Sequence, residues 1–279
     1  MSLEILSVGA MVTVQDRGRE GCGHLGVSAS GAADRVSALL ANQLVGNHPE
    51  AALLEAVGGG LRLRSARAAR LSITGASGQA SVDGEPAPHS RAFDVAPGAT
   101  LTLGAALRGT LYYVAVAGGI EVPEVLGSRS SDTLSGVGPA PLAPGDRLRV
   151  GSLRGAPVHA DMWIDRSDEE LVLRFVPGPR DDWYADPDAT SWTVSGQTDR
   201  VGTRLSGLPL SARRHGELAS EPTVRGAIQV PPSGQPIVFG PDHPVTGGYP
   251  VVGVLVEDDA DALAQARPGT PVVLRRVRR

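Results

Sequence analysis

Glycine and proline interrupt this chain so often that little of it can be helical. Its 279 residues include 36 Gly and 22 Pro, and both break helix interiors, Gly through backbone entropy and Pro through its missing N–H. Short β-branched or alternating runs lie between the interruptions: Leu71 to Thr74, Thr100 to Leu103, Leu111 to Ala117, Leu171 to Val176, Ile237 to Phe239, Val251 to Val256 and Val272 to Leu274. That spacing predicts barrels or sandwiches. Pro97-Gly98, Pro144-Gly145 and Pro268-Gly269 each lead into an apolar run and predict type II turns.

Two helices stand out. The first is expected from Ala32 to Val45, capped by Ser30 or Gly31, with Asp34 in its first turn and Val36, Leu39, Leu40 and Leu44 as its apolar face. The second is expected from Asp259 to Ala266, capped by Asp258 or Asp259 and stopped by Pro268-Gly269. Gly151 to Glu170 and Gly178 to Ser191 carry neither pattern. The length suits two domains, expected at 1–152 and 171–279 with a linker at 153–170.

All 26 basic residues are arginine. Without lysine the chain can form no Schiff base, carry no covalent biotin and build no Walker-type phosphate grip. A net charge of -4 gives no basic footprint for nucleic acid or an anionic membrane. Cys22 is alone and fits a reducing compartment, Met1 to Ala10 has no basic leader-like start, and no apolar run approaches the ~20 residues of a membrane span, so a cytoplasmic location is expected.

Three segments combine glycine with polar chemistry. Gln15 to Asn47 holds Gln15-Asp16-Arg17-Gly18-Arg19, where arginine forks can grip a carboxylate or phosphate while an amide is oriented. The bland reading is a turn with a surface ion pair. Asp199 to Pro250 holds Gln229, suited to an amide or lactam, and Thr246-Gly247-Gly248, which can offer a nest of N–H groups to an anion; a proline-rich barrel rim accounts for the same residues. Gly118-Gly119-Ile120 with Gly127-Ser128-Arg129-Ser130-Ser131-Asp132 binds an anion or caps a turn. Asp16-Arg17-Gly18-Arg19 is echoed by Asp199-Arg200-Val201-Gly202 with Arg204 close behind, suggesting two related halves. The six histidines show no metal-ligand spacing, and only His24 and His243 fall near these segments.

Taken in order, nine motifs resemble the allophanate hydrolase subunit 2 family, also called the biotin-dependent carboxyltransferase-like family, which includes the C subunit of 5-oxoprolinase. They are Val14 to Arg19, Ser30 to Asp34, Ala41 to Asn47, Leu54-Glu55, Ala117 to Ile120, Gly127 to Ser130, Asp199 to Leu205, Gly226 to Pro231 and Thr246 to Pro250. Val245 and Cys22 depart from the family's usual threonine and aromatic. The resemblance implies a mainly β chain of two tandem cyclophilin-like β-barrel domains with few short helices. It implies work with two partners, a protein like the B subunit of 5-oxoprolinase (allophanate hydrolase subunit 1) and its A subunit. The implied substrate is a small amide or lactam, with ATP at a site shared with or supplied by a partner. The implied reaction is ATP-dependent opening of 5-oxoproline to glutamate. The alternatives are carboxyl transfer with biotin on another chain, or a non-catalytic regulatory role. The catalytic candidates are Gln15, Asp16, Arg19, Arg204, Gln229 and Asp242, with Asp16 or Asp242 orienting a proton or an arginine. The substrate-binding candidates are Gly31, Asp34, Asn42, Ser128, Arg129, Arg200, Thr246, Gly247, Gly248 and Tyr249, with no metal.

Overall fold

Strands dominate the computed structural model, which describes residues 2–152 and 170–277. The linker expected at 153–170 lies, apart from Glu170, outside the described residues. The described chain divides into two units: 2–19 with 30–152, and 20–29 with 170–277.

The first unit is a ten-stranded, barrel-like sheet. Its strands are β1 (Ser2–Val8), β2 (Met11–Gln15), β3 (Leu53–Val57), β4 (Leu61–Ser65), β5 (Ala69–Val82), β6 (Glu85–Pro86), β7 (Ala92–Val95), β8 (Thr100–Val116), β9 (Ile120–Glu121) and β10 (Arg147–Val150). The order β2-β3-β8-β4-β1-β10-β9 is extended by β5, which pairs with β6, β7 and β8. Thr100–Leu103 and Leu111–Ala117, expected as separate strands, belong to the single strand β8. Its first half pairs with β4, its second with β3, and β5 runs along most of its length through three register shifts. In β4 the alternation Leu-Arg-Leu-Arg buries Leu61 and Leu63 and leaves both arginines exposed, as a half-buried strand requires. The core gathers Ile5, Val14, Leu54, Leu63, Ile73 and Val114.

One helix, α1 (Arg35–Leu44), packs on β5 and β8. It is shorter than expected, because its cap is Asp34 and not Ser30 or Gly31: the Asp34 carboxylate accepts from Ser37 N at 3.1 Å and Ser37 Oγ at 2.6 Å. The buried face is Ser37, Ala38, Leu40, Ala41 and Leu44, while Val36 and Leu39 remain 38% exposed. Small residues let this helix approach the sheet closely, and Ser72 and Thr74 of β5 donate to the carbonyls of Ala41 and Ser37, both at 2.7 Å.

The second unit is a closed barrel. Its elements are β11 (Leu171–Pro177), β12 (Ser191–Thr198), β13 (Gly202–Gly207), β14 (Glu221–Pro222), β15 (Ala227–Gln229), β16 (Ile237–Phe239), β17 (Thr246–Gly247), β18 (Val251–Leu255), α2 (Glu257–Ala264) and β19 (Pro271–Arg276). The barrel order is β11-β18-β15-β16-β13-β12-β19; β14 and β17 pair with each other. Closure comes from β11 and β19, which run parallel from Leu171↔Val272 to Phe175↔Arg276. Phe175, Trp192 and Ile228 fill the interior, and the Trp192 indole donates to the Pro187 carbonyl at 3.1 Å. Helix α2 begins two residues before the expected Asp259 because Val256 is its cap; Asp258 and Asp259 sit in the first turn, where carboxylates favour the helix dipole.

The three Pro-Gly turns form as expected, with Gly98, Gly145 and Gly269 at φ 84°, 97° and 91°. Each is closed by a hydrogen bond from the residue after the glycine to the residue before the proline, at 3.1, 3.1 and 3.0 Å.

Candidate functional site

In the first unit, the turn after β2 is organised around the Asp16 carboxylate. It accepts from Gly18 N at 2.8 Å, Ser128 Oγ and Ser130 Oγ at 2.6 Å each, and Arg129 N at 2.6 Å. Asp16 N donates in return to Ser130 Oγ at 2.9 Å. The carboxylate therefore orients two serines and two amides and holds 128–130 against 16–18; its partners include no arginine side chain. Gly31, at φ 88°, closes this turn from the other side, where a Cβ would meet the Arg17 carbonyl at 2.8 Å.

Beside this hub lie three buried polar atoms without a hydrogen-bond partner among the described residues: Gln15 Oε1, Arg19 Nη1 and Ser131 Oγ. Arg19 is 2% exposed. Its guanidinium donates to the Ser130 carbonyl and, at 3.4 Å, to the Val125 carbonyl, and no acid pairs with it among the described residues. A guanidinium cannot neutralise itself by losing a proton, so among the described residues this is a buried cation without a counter-charge, an arrangement that costs several kcal/mol in the absence of an anion. Gln15 is fully buried, and its Nε2 donates to Thr13 Oγ1 at 3.0 Å and the Ser131 carbonyl at 3.1 Å. Gln15 and Arg19 thus anchor to consecutive carbonyls.

Asp34 and Asn42 serve α1. Asp34 caps it, and Asn42 donates to the Ala51 carbonyl at 2.8 Å and accepts from Asn47 Nδ2 at 2.9 Å. Below the cap, Tyr113 Oη donates to Glu55 at 2.8 Å and accepts from Asp34 N at 2.7 Å, while Ala33 N also reaches Glu55 at 2.9 Å. Burial, then the negative Glu55 and Asp34, hold the Tyr113 phenol well above its ordinary pKa, so it remains a donor. Arg129 donates to the Val122 carbonyl at 3.0 Å, pairs with Glu124 at 2.7 Å, and lines a cleft of about 240 Å³ with Asn47, His48, Gly118 and Glu121.

The second unit treats its residues differently. Asp199 repeats the Asp16 turn, its carboxylate accepting from Val201 N at 2.8 Å. Yet Arg200, 4% exposed, meets fully buried Asp242 in a two-pronged pair at 2.9 and 3.0 Å. Asp242 thus orients an arginine, and the charge of that arginine is compensated. Gln229 is 5% exposed and donates to the Tyr249 carbonyl at 3.2 Å. A Cβ on Gly247 would lie 2.5 Å from its Nε2, so a side chain there would displace the Gln229 amide. Thr246-Gly247 is not the expected nest: it pairs with Glu221-Pro222, and neither Gly247 nor Gly248 has the positive φ that turns successive N–H groups toward one anion. Arg204, Thr246, Gly248 and Tyr249 are exposed. His243 is buried, stacked on Phe239, with Nδ1 2.9 Å from the Pro244 carbonyl. His24 is exposed within a 3₁₀ turn at Cys22–Leu25.

Ser130 and Ser131 carry more of the first-unit site than the motif reading assigned them. Their signal was the Ser-Arg-Ser-Ser-Asp run, whose depth in the fold no spacing rule reveals. Among the described residues no three His, Cys, Asp or Glu side chains gather as a metal site, and no helix is long and apolar enough to cross a membrane.

Residues 25–276 match the family described as carboxyltransferase domain, subdomain A and B. The chain is 36% identical to the C subunit of 5-oxoprolinase from Escherichia coli over 97% of its length and 89% of that protein. It is 30% identical to urea amidolyase of Lachancea kluyveri over 97% of its length, though over only 17% of that protein. The crystal structure of TTHA0988 superposes with a TM-score of 0.90 at 37% identity, covering 98% of this chain and 56% of that one.

Proposed function

This chain belongs to the carboxyltransferase domain, subdomain A and B, family, and from that premise we propose that it is the C subunit of an ATP-dependent 5-oxoprolinase. In this reading it holds the lactam acid while its partners, a B-like and an A-type protein of the same enzyme, complete the reaction to glutamate. The observation that carries the reading is the buried guanidinium of Arg19, which meets no acid among the described residues, together with Gln15 Oε1 and Ser131 Oγ, which have no hydrogen-bond partner among them. A carboxylate at Arg19 Nη1 supplies the missing counter-charge through a charge-assisted hydrogen bond. Asp16 positions the 128–131 segment and thereby the site; Gln229 and the Arg200–Asp242 pair shape the second unit.

ATP supplies the activation that makes an unstrained lactam open to water. The donors present do not fit a triphosphate: with no lysine and no nest at 246–248, the first-unit site offers one buried guanidinium, whereas a triphosphate is held by several cations and amides. The nucleotide accordingly belongs on a partner protein.

The test is reconstitution with the co-expressed partners, following glutamate and ADP release. Arg19→Ala combined with Gln229→Ala should abolish oxoproline-dependent turnover; full turnover by the double variant refutes the reading. A second reading, carboxyl transfer using biotin on another chain, is favoured by the similarity to urea amidolyase across nearly the whole chain. Avidin should stop that activity and leave oxoprolinase turnover untouched.

A further inference from the structure

We infer that Gln15 makes this chain select lactam acids over their lactone and N-alkyl counterparts, because the site demands a hydrogen-bond donor next to the carboxylate. The inference rests on the reading above and specifies its substrate class. Both Gln15 Nε2 protons are committed, one to Thr13 Oγ1 and one to the Ser131 carbonyl. Exchanging the amide's O and N would set carbonyl oxygen against carbonyl oxygen, so the orientation is fixed. Oε1 can then only accept, and buried as it is, it has nothing to accept from among the described residues. A buried acceptor in that state carries a desolvation penalty that a ligand donor removes and a ligand acceptor worsens.

The spacing suits one ligand chemistry. Gln15 and Arg19 are tied to the carbonyls of Ser131 and Ser130, residues whose α-carbons are about 3.8 Å apart. An obligate acceptor and a permanent cation therefore flank one dipeptide, whose Ser131 hydroxyl adds a third unpartnered group. In 5-oxoproline the ring N–H is bonded to the carbon that bears the carboxylate, so donor and anion are presented one carbon apart. The lactone analogue places an acceptor oxygen against Oε1, and the N-methyl analogue a methyl group. The site atoms are enclosed, and Gly138 rests on Arg19 and the Ser130 carbonyl so closely that a Cβ would overlap both.

Calorimetric titration of the reconstituted complex, without ATP, tests this with three probes: 5-oxoproline, its lactone analogue and its N-methyl analogue. The lactam acid should bind at least about 10-fold more tightly than either analogue. In Gln15→Leu that gap should close, and in Arg19→Gln binding of all three should be lost. The comparison among ligands uses the wild-type protein and so survives a variant that fails to fold. Equal binding of the three by wild type, or discrimination persisting in Gln15→Leu, overturns the role of Gln15 and leaves the Arg19 reading standing. Unchanged binding in Arg19→Gln, or no binding by wild type, overturns the reading itself.

Discussion

Arg19→Met should leave the first unit almost as stable as wild type while removing its response to a small carboxylate. The guanidinium makes two hydrogen bonds to carbonyls, the longer at 3.4 Å. Hydrogen bonds to charged groups contribute about 1.5–3 kcal/mol each, and the long one lies at the weak end. Against them stands the effective desolvation penalty of a buried ion, several kcal/mol. The two nearly cancel, and methionine's flexible thioether refills most of the volume, so a change within about 1.5 kcal/mol is expected. Asp242→Asn is the contrast: it strips a carboxylate from a fully buried arginine pair and should cost about 3–5 kcal/mol. Urea unfolding measures both, with Trp192 emission reporting the second unit and circular dichroism the whole. Free carboxylic acid at about 100 times its Kd should stabilise wild type by about 2.7 kcal/mol, roughly 5–10 °C for a unit of this size, and should not stabilise Arg19→Met. If Arg19→Met is destabilised as much as Asp242→Asn, or retains the acid-dependent shift, Arg19 is a satisfied structural cation and the argument for the site collapses.

Two further perturbations probe the same unit. Burial pushes the Tyr112 phenol up to about 12; the unfolded chain loses that proton near pH 10, so stability present below about pH 10 should fall as pH rises toward 12, with Tyr112 contributing about 1.4 kcal/mol per pH unit. Tyr112→Phe should flatten that slope without weakening the fold at neutral pH, since the hydroxyl has no partner among the described residues; an unchanged alkaline slope in pH-dependent unfolding contradicts this. Asp16→Ala strands two amides and two hydroxyls and should cost about 3 kcal/mol or more, exposing the Gly18 and Arg129 amides to hydrogen exchange. Retained protection at both amides would show that the hub does not depend on the carboxylate.

Periodicity exposed the β character of this chain because alternating runs such as Thr100 to Leu103 bury one face more deeply than the other. It divided β8 in two because Gly104 to Thr110 breaks the apolar pattern, although pairing with β5 carries the strand through. The first helix is legible in place and in half of its face: Leu40 and Leu44 are buried as expected, whereas Ser37, Ala38 and Ala41 take the places of Val36 and Leu39 through their small size, which a hydrophobicity rule overlooks. The Asp-Arg echo was legible as a repeated turn, since Asp16 and Asp199 each accept from the amide two residues on. What the echo hid is that the matched arginines diverge, Arg200 pairing with Asp242 in the interior and Arg17 with Glu50 at the surface. That difference arises from partners 42 residues away in one case and 33 in the other, and no local window contains it.

The parallel union of β11 with β19 has a consequence in time as well as space. During synthesis the first strand of the second barrel emerges roughly 100 residues before the strand that closes it, an interval of about 5–20 s at ordinary translation rates. Throughout that interval β11 and β12 each keep an open edge where β19 will insert, and open edges pair with whatever strand arrives first. The most vulnerable moment for this unit is therefore its birth, and variants that slow translation within 178–270 should raise aggregation without touching the stability of the finished barrel.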